Sequence, residues 1–321
     1  MSVRECDTSW DPVKPVAAVS CYRGRVSTPP SALLVAEDLR IDEGGFPACD
    51  GLALETAGER VLVLGAPRAL LLASCGLLPV ARGRLEVRGR SPLRAVQENV
   101  VASALLDPPL PPKWTVMDYA TWSARLAGHG AAHAKKLAAQ ALERLQLGSS
   151  ASNKLERLAP HARRAMVVAA AMATGAEVLV LEDPTGGLPE DVALTWGRML
   201  VEAMTEKPWI VFAPRLPLTS PLTLGADEAL VLGGEAGQTR LEAKGAPADL
   251  APRAHRFVAR MQGPLDVLAE RLAATGIGLE IQGAQVIVDL GEGHSTAELL
   301  GLCGEAQVTV VELYPLSRAL S

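Results

Sequence analysis

Val178-Leu179-Val180-Leu181-Glu182-Asp183-Pro184-Thr185-Gly186-Gly187-Leu188 is the stretch on which the fold of this 321-residue chain turns. Four successive apolar residues have no polar face, so a strand here must be covered on both sides, as in the centre of a parallel sheet or a sandwich. Two carboxylates follow, and then Pro and Gly-Gly turn the chain. Read by itself, Glu182-Asp183 is a solvated acidic pair at the end of a buried strand.

Working outward, Arg60-Val61-Leu62-Val63-Leu64 and Trp209-Ile210-Val211-Phe212-Ala213 repeat the wholly apolar pattern, and Ala229-Leu230-Val231-Leu232 closes the set. A helix near 190–205 separates two of these strands. Upstream, Ala32–Ala36 and Leu52–Glu55 read as strands, Gly44-Gly45 as a turn, Leu70–Leu78 as a buried helix and Gly83–Gly89 as a hairpin arm. Four prolines make 107–114 a stiff loop. Helical periodicity runs from Val116 to Leu147 with a glycine break at 128–130. Strands alternating with helices predict an α/β class with a largely parallel sheet. The Ala/Pro stretch 246–253 reads as a linker. A strand (255–260), helix (264–274), two strands (278–282, 284–289), helix (295–302) and strand (307–313) follow, the βαββαβ order of a ferredoxin-like unit. In that unit Leu265, Val267, Leu268 and Leu272 are expected to face inward, with Val286-Ile287-Val288 as core strand.

Composition sets the outer limits. The chain is 49% hydrophobic with a net charge of −5, which supplies ample core and no basic stripe for nucleic acid. Five scattered cysteines without a CxxC pair exclude a disulfide framework and fit a reducing compartment. Residues 1–30 read as a tail, without the apolar run of a signal peptide. The apolar runs 69–81 and 165–181 are respectively too short and too interrupted to span a bilayer, so a cytoplasmic protein is expected.

Residues 31–247 resemble the ATP-binding subunit of an ABC transporter. The opening stretch is similar to the family's apolar strand, two acids and Pro-Thr-x-Gly-Leu. Leu158-Ala159-Pro160-His161-Ala162-Arg163-Arg164 falls at the family's signature Leu-Ser-Gly-Gly-Gln. Gly58–Gly65 resembles the strand leading into the P-loop, and Gly76-Leu77-Leu78-Pro79 the exit of the helix beyond it. The βαββαβ tail resembles the C-terminal appendage of export-type ATPase subunits. The resemblance implies a P-loop NTPase-like α/β domain over 31–247, with a helical subdomain at about 107–162, and a ferredoxin-like domain over 254–321.

The family's chemistry needs a glycine-rich turn with Lys and Ser or Thr behind it. Here the turn is Gly65-Ala66-Pro67-Arg68, about four residues short of the family's spacing. Pro67 has no N–H, and Arg68, the nearest stand-in for the lysine, is expected to point to solvent. Charged hydrogen bonds contribute roughly 1.5–3 kcal/mol each, whereas a micromolar site has about 8 kcal/mol in all, so losing these donors predicts the loss of conventional ATP binding. The other positions agree. Glu43 stands near the adenine-stacking aromatic, with Phe46 the nearest ring. Leu105 and Leu106 replace the magnesium-sensing glutamine, Arg215 the switch histidine and Pro189 an aspartate. Pro160 removes an amide at the signature helix. Only the acids remain, in exchanged order, Glu182 then Asp183.

The resemblance therefore implies a pseudo-ATPase with no catalytic residues, no metal and no required cofactor. Gly65, Ala66, Pro67, Arg68 and Arg215 would be the remnant of the nucleotide site. Partners would be an ABC-type membrane subunit, an intact ABC ATPase or a second copy, at the inner face of the membrane through a permease. A head-to-tail dimer with a competent subunit would damage both composite sites. The alternatives are an ATP-hydrolysing subunit with an unorthodox loop, which needs Arg68 and the Glu182/Asp183 pair to face one site and would bind ATP with magnesium, and an interaction protein unrelated to transport. Trp114 is placed where the helical subdomain docks, either as an exposed anchor or packed over the proline loop. His129 and His133 read as solvated surface, and Cys75 as a buried apolar residue.

Overall fold

The computed structural model describes residues 32–234, 237–250, 256–282, 285–291 and 294–315. The expected tail over 1–30 lies outside the described residues. In chain order, β1 (Leu34–Glu43) and β2 (Phe46–Glu55) form a hairpin, and β3 (Arg60–Leu64) leads to α1 (Arg68–Ser74), β4 (Arg82–Val87), α2 (Pro92–Gln97) and β5 (Val101–Ala104). The helices α3 (Val116–Leu126), α4 (Ala131–Arg144) and α5 (Pro160–Ala173) come next. Then β6 (Val178–Glu182), α6 (Glu190–Ala203), β7 (Trp209–Ala213), α7 (Pro221–Gly225), β8 (Glu228–Gly233), β9 (Arg240–Gly245) and α8 (Pro247–Leu250) follow. The last unit is β10 (Arg256–Gln262), α9 (Leu265–Thr275), β11 (Gly278–Gln282), β12 (Gln285–Asp289), α10 (Thr296–Glu305) and β13 (Thr309–Pro315).

Six strands form one sheet in the order β5-β6-β7-β3-β8-β9, parallel except for β9. Apart from charged residues at their ends (Arg60, Glu182, Glu228), its central strands are apolar because each face meets a different core. Leu62, Leu64, Leu179, Leu181, Trp209 and Val211 pack under α3–α6. The alternate residues Val61, Val63, Val178, Val180, Ile210 and Phe212 pack with α1 and the antiparallel sheet β2-β1-β4. Burying each such side chain contributes roughly 1.5–3 kcal/mol. The β1–β2 hairpin closes through Gly44 and Gly45, whose φ values of +62° and +85° are those of a two-residue type I′ turn.

Several expected boundaries shift. β2 begins at Phe46, ahead of the expected Leu52, because it pairs with β1 through its polar half as well. Instead of spanning 70–78, α1 starts at Arg68 and ends at Ser74. Gly76 takes φ +70° there, and the Leu77 N–H turns back to the Leu72 carbonyl at 2.9 Å. Part of the expected linker is the short helix α8, anchored by buried Leu250. In the last unit, strands ordered β11-β12-β10-β13 pair antiparallel. Leu268, Leu272, Leu299 and Cys303 pack on Ala259, Met261, Val286 and Val288. Val267, expected inside, is 44% exposed, since it lies a quarter-turn from Leu268 on the outer side of α9. Among the described residues no helix is long and apolar enough to cross a membrane.

Candidate functional site: the carboxyl ends of β3, β6 and β7

Side-chain parity in β6 fixes where its acid goes. Val178 and Val180 face α1, so Glu182, two residues on, faces the same way. Across the parallel register Glu182 lies opposite Phe212 of β7. Gly65 continues β3 by donating its N–H to the Ala213 carbonyl at 3.1 Å. With φ +69° it runs so close to β8 that a Cβ would lie 2.3 Å from the Leu232 carbonyl oxygen. Ala66 and Pro67 complete the turn, and Arg68 opens α1 directly above the end of β6.

Arg68 is exposed, as expected, at 59% of its side chain, yet its guanidinium turns back onto the first acid. Its Nε donates to Glu182 Oε1 at 2.5 Å and its Nη2 to Oε2 at 3.3 Å, while the Leu106 N–H donates to Oε2 at 3.0 Å. The acidic pair is not solvated: Glu182 is only 9% exposed. Burial pushes its carboxyl pKa up, but the Arg68 and Leu106 hydrogen bonds and the Arg68 charge outweigh this and hold it below the ordinary value. Donating to Glu182, with the charges of Glu182 and Glu43, raises the Arg68 guanidinium pKa.

Asp183 leaves the strand at φ +36°, a conformation that Asp tolerates better than most residues, and its N–H still reaches the Phe212 carbonyl at 2.8 Å. Burial raises its carboxyl pKa against the opposing Arg164 charge and a hydrogen bond from Gly186, with Glu182 adding to the rise. Arg164, near the start of α5, donates to the Gly186 carbonyl, and Trp196 Nε1 donates to the Pro184 carbonyl at 2.8 Å. These two bonds pin the turn after β6.

Arg68, Glu182, Asp183, Ala66 and Pro67 converge on a cavity of about 170 Å³, well under the roughly 300–1,000 Å³ of ordinary small-molecule pockets. The structure thus brings Arg68 and both acids around one space, the juxtaposition that the ATP-hydrolysing alternative requires, although the arginine is already bound to the first acid. Arg215 is exposed and lines a separate cavity of about 590 Å³ beside Thr185, Gly187 and Glu190; Asp183 lines both. Gly65 lines neither and acts through the backbone.

Sequence reasoning missed Arg164 as a neighbour of the acids. The signal was available: α5 leads into β6 and runs back along it, so its N-terminal end, with Arg164, lies at the strand's carboxyl end. It also gave Leu106 no role beyond an absent ligand, yet its amide holds Glu182. Cys75 is buried as expected, and burial pushes its thiol up to about 12. Trp114 is half-buried, packed on the helical core and edge-on to Trp122 at 5.7 Å. Trp122, itself 44% exposed, had not been singled out. His129 is not a solvated side chain: its Nε2 lies 2.8 Å from the Thr174 carbonyl, which also accepts from Asn99 Nδ2 at 2.9 Å, so the two close the end of α5. Among the described residues, no group of three or more His, Cys, Asp or Glu side chains could hold a metal ion.

No family model matches the chain. The hemin import ATP-binding protein HmuV of Streptomyces coelicolor is 30% identical over 180 residues, covering 51% of this chain and 63% of that relative, so the chain spans less than two thirds of its length. The cytochrome c biogenesis ATP-binding export protein CcmA of Ruegeria pomeroyi is 26% identical over 163 residues, 49% of this chain and 72% of the relative. Among solved structures, cbiO1 of Clostridium perfringens, part of the ABC transporter complex cbiONQ, superposes with a TM-score of 0.58 at 19% identity, over 69% of this chain and 91% of its own. An ATP-binding subunit of an ABC transporter superposes with a TM-score of 0.56 at 15% identity, over 84% and 99%. Such identities speak for the fold alone. The chain therefore has the fold of ABC transporter ATP-binding subunits, and about half of it is similar in sequence to two curated ATP-binding proteins.

Proposed function

We propose that this chain is a non-hydrolysing member of the ABC transporter ATP-binding subunit family, serving as a structural or regulatory component of a membrane export or related assembly. The Arg68–Glu182 pair carries this reading. In the reading, Gly65-Ala66-Pro67-Arg68 is a closure of the nucleotide site: Pro67 offers no amide, Arg68 is held by the Glu182 carboxylate, and no hydroxyl follows it in the turn. Magnesium and nucleotide do not fit these residues, because both Glu182 oxygens already accept N–H donors and the remaining cavity is small. What the fold retains is a docking body. The partner in this reading is an ABC-type membrane subunit or an intact ABC ATPase, with 31–247 as the ATPase-like domain and 254–321 as a ferredoxin-like accessory domain. Peripheral attachment at the inner membrane face through a permease follows from it.

The second reading, an ATP-hydrolysing subunit with an unorthodox loop, gains support from the convergence of Arg68, Glu182 and Asp183 on one cavity. It requires Arg68 to leave Glu182 for a phosphate. Calorimetry and thermal shift with ATP and magnesium, up to millimolar nucleotide, decide between the two. The first reading expects neither binding heat nor a shift, and no turnover above buffer; micromolar binding, or hydrolysis abolished by Asp183→Asn, overturns it.

A further inference from the structure

We propose that Arg68 is the resident cation of the site at the end of β6, occupying the place a divalent metal would need beside Glu182 and Asp183, so that the chain takes up no divalent ion there. Two adjacent carboxylates at one strand end, the first buried, need a positive charge close by, and Arg68 reaches Glu182 at hydrogen-bond distance. The guanidinium engages both Glu182 oxygens, and the Leu106 amide takes a further position on Oε2. Hard divalent cations require several oxygen ligands at about 2.0–2.6 Å in open directions. Here the first acid's lone pairs point at nitrogen donors. Apart from Arg68 and the two acids, every residue lining the cavity is Ala, Pro, Leu or Phe, so no further side-chain oxygen is supplied. Glu43 adds a weaker favourable charge toward the guanidinium. Unlike a bound ion, this cation is covalently part of the chain and cannot be lost to chelators or exchanged.

The inference rests on the reading that this is not a magnesium–nucleotide site. Its test contains no nucleotide, so the failure of either is separately visible. The full chain is titrated with Mn²⁺, and bound ion is read by electron paramagnetic resonance of the free metal, with circular dichroism melts reporting that each variant folds. The unaltered chain is expected to show no Mn²⁺ site that Glu182→Gln removes. Arg68→Ala uncovers the acids and is expected to bind one Mn²⁺ at least about tenfold more tightly than the unaltered chain, the gain vanishing when Glu182→Gln or Asp183→Asn is added. Arg68→Met, which keeps the bulk of the side chain without its charge, guards against a fold defect in the alanine variant and is expected to behave likewise. A Glu182-dependent Mn²⁺ site in the unaltered chain would overturn the inference. So would folded Arg68→Ala and Arg68→Met chains that bind no more Mn²⁺ than the unaltered one.

Discussion

Two arginine–carboxylate clusters in this chain use the same groups at hydrogen-bond distances and differ in setting. Arg68 meets Glu182 at 2.5 Å at the end of a buried strand, where the acid's side chain is 10% exposed. Arg82 meets Asp50 at 2.9 Å and Asp38 at 3.1 Å on the outer face of the antiparallel sheet, where Asp38 is 68% exposed. On the open face, water replaces any partner that leaves. At the end of β6 the acid has only the Leu106 amide to fall back on, so the cost of losing the arginine is the cost of an underpaired buried charge. Arg68→Ala is therefore expected to give the largest loss of stability among the variants of these two clusters. Breaking a fully buried pair costs about 3–5 kcal/mol; because more than half of Arg68 is exposed, about 1–2 kcal/mol is expected here, read as a lowered urea midpoint at unchanged slope. A midpoint that does not move would mean that water serves Glu182 as well as it serves Asp38, and the contrast between the two settings would collapse.

The buried member of the comparison also predicts a pH dependence of definite sign. Glu182 is held below its ordinary value in the folded chain, so its pairing stabilises fully above the unfolded pKa and is lost as pH falls through the lowered folded value. Asp183 is held above its ordinary value and acts oppositely, disfavouring the folded state as pH rises through the raised value. The urea midpoint of the unaltered chain minus that of Glu182→Gln should therefore shrink between about pH 7 and about pH 3. A difference that stays constant over that range would show that Glu182 is not an ionised partner of Arg68. This effect is expected to be smaller than that of Arg68→Ala, because glutamine keeps the shape of the side chain and its single carbonyl oxygen can still accept from the Leu106 amide and Arg68 Nη2.

Strands covered on both faces announce themselves, which is why β3, β6, β7 and β8 were legible from residues alone: an uninterrupted apolar run admits few other folds. β9 was not, since Arg240, Glu242 and Lys244 alternate with Leu241 and Ala243 on a half-exposed edge strand that resembles polar loop. β5, the four-residue Val-Ala-Ser-Ala segment, and the six-residue α2 are too short to show a period. At the site, the residue types were visible and their pairing was not. Glu182 and Arg68 lie 114 positions apart, and no local pattern links the end of one strand to the first residue of a helix following another. Side-chain parity would have turned Glu182 toward α1, and the parallel order of β6, β7 and β3 would have brought Arg68 to the same end. Without that topology, an exposed arginine on a short turn and a solvated acid pair were the natural expectations. The arginine is indeed exposed, but burial of Glu182 overturns the second expectation and gives that arginine a fixed partner.

The exposed cluster supplies the smallest expected effect and the sharpest control. Arg82 bridges Asp38 and Asp50, and Arg84 beside it pairs with Glu37 and Glu86, so the acids of this face share more than one cation. Removing Arg82 leaves Asp50 with Arg40 and leaves Asp38 in water. Neither carboxylate is stranded. Arg82→Ala is expected to leave the urea midpoint unchanged within error, and whatever shift appears should fade on adding salt, since the screening length falls to about 3 Å at 1 M. The loss from Arg68→Ala should persist in the same salt, because ions reach Glu182 poorly. Equal salt sensitivity in the two variants would place both pairs in the same solvent environment and remove burial as the reason for treating Arg68 differently.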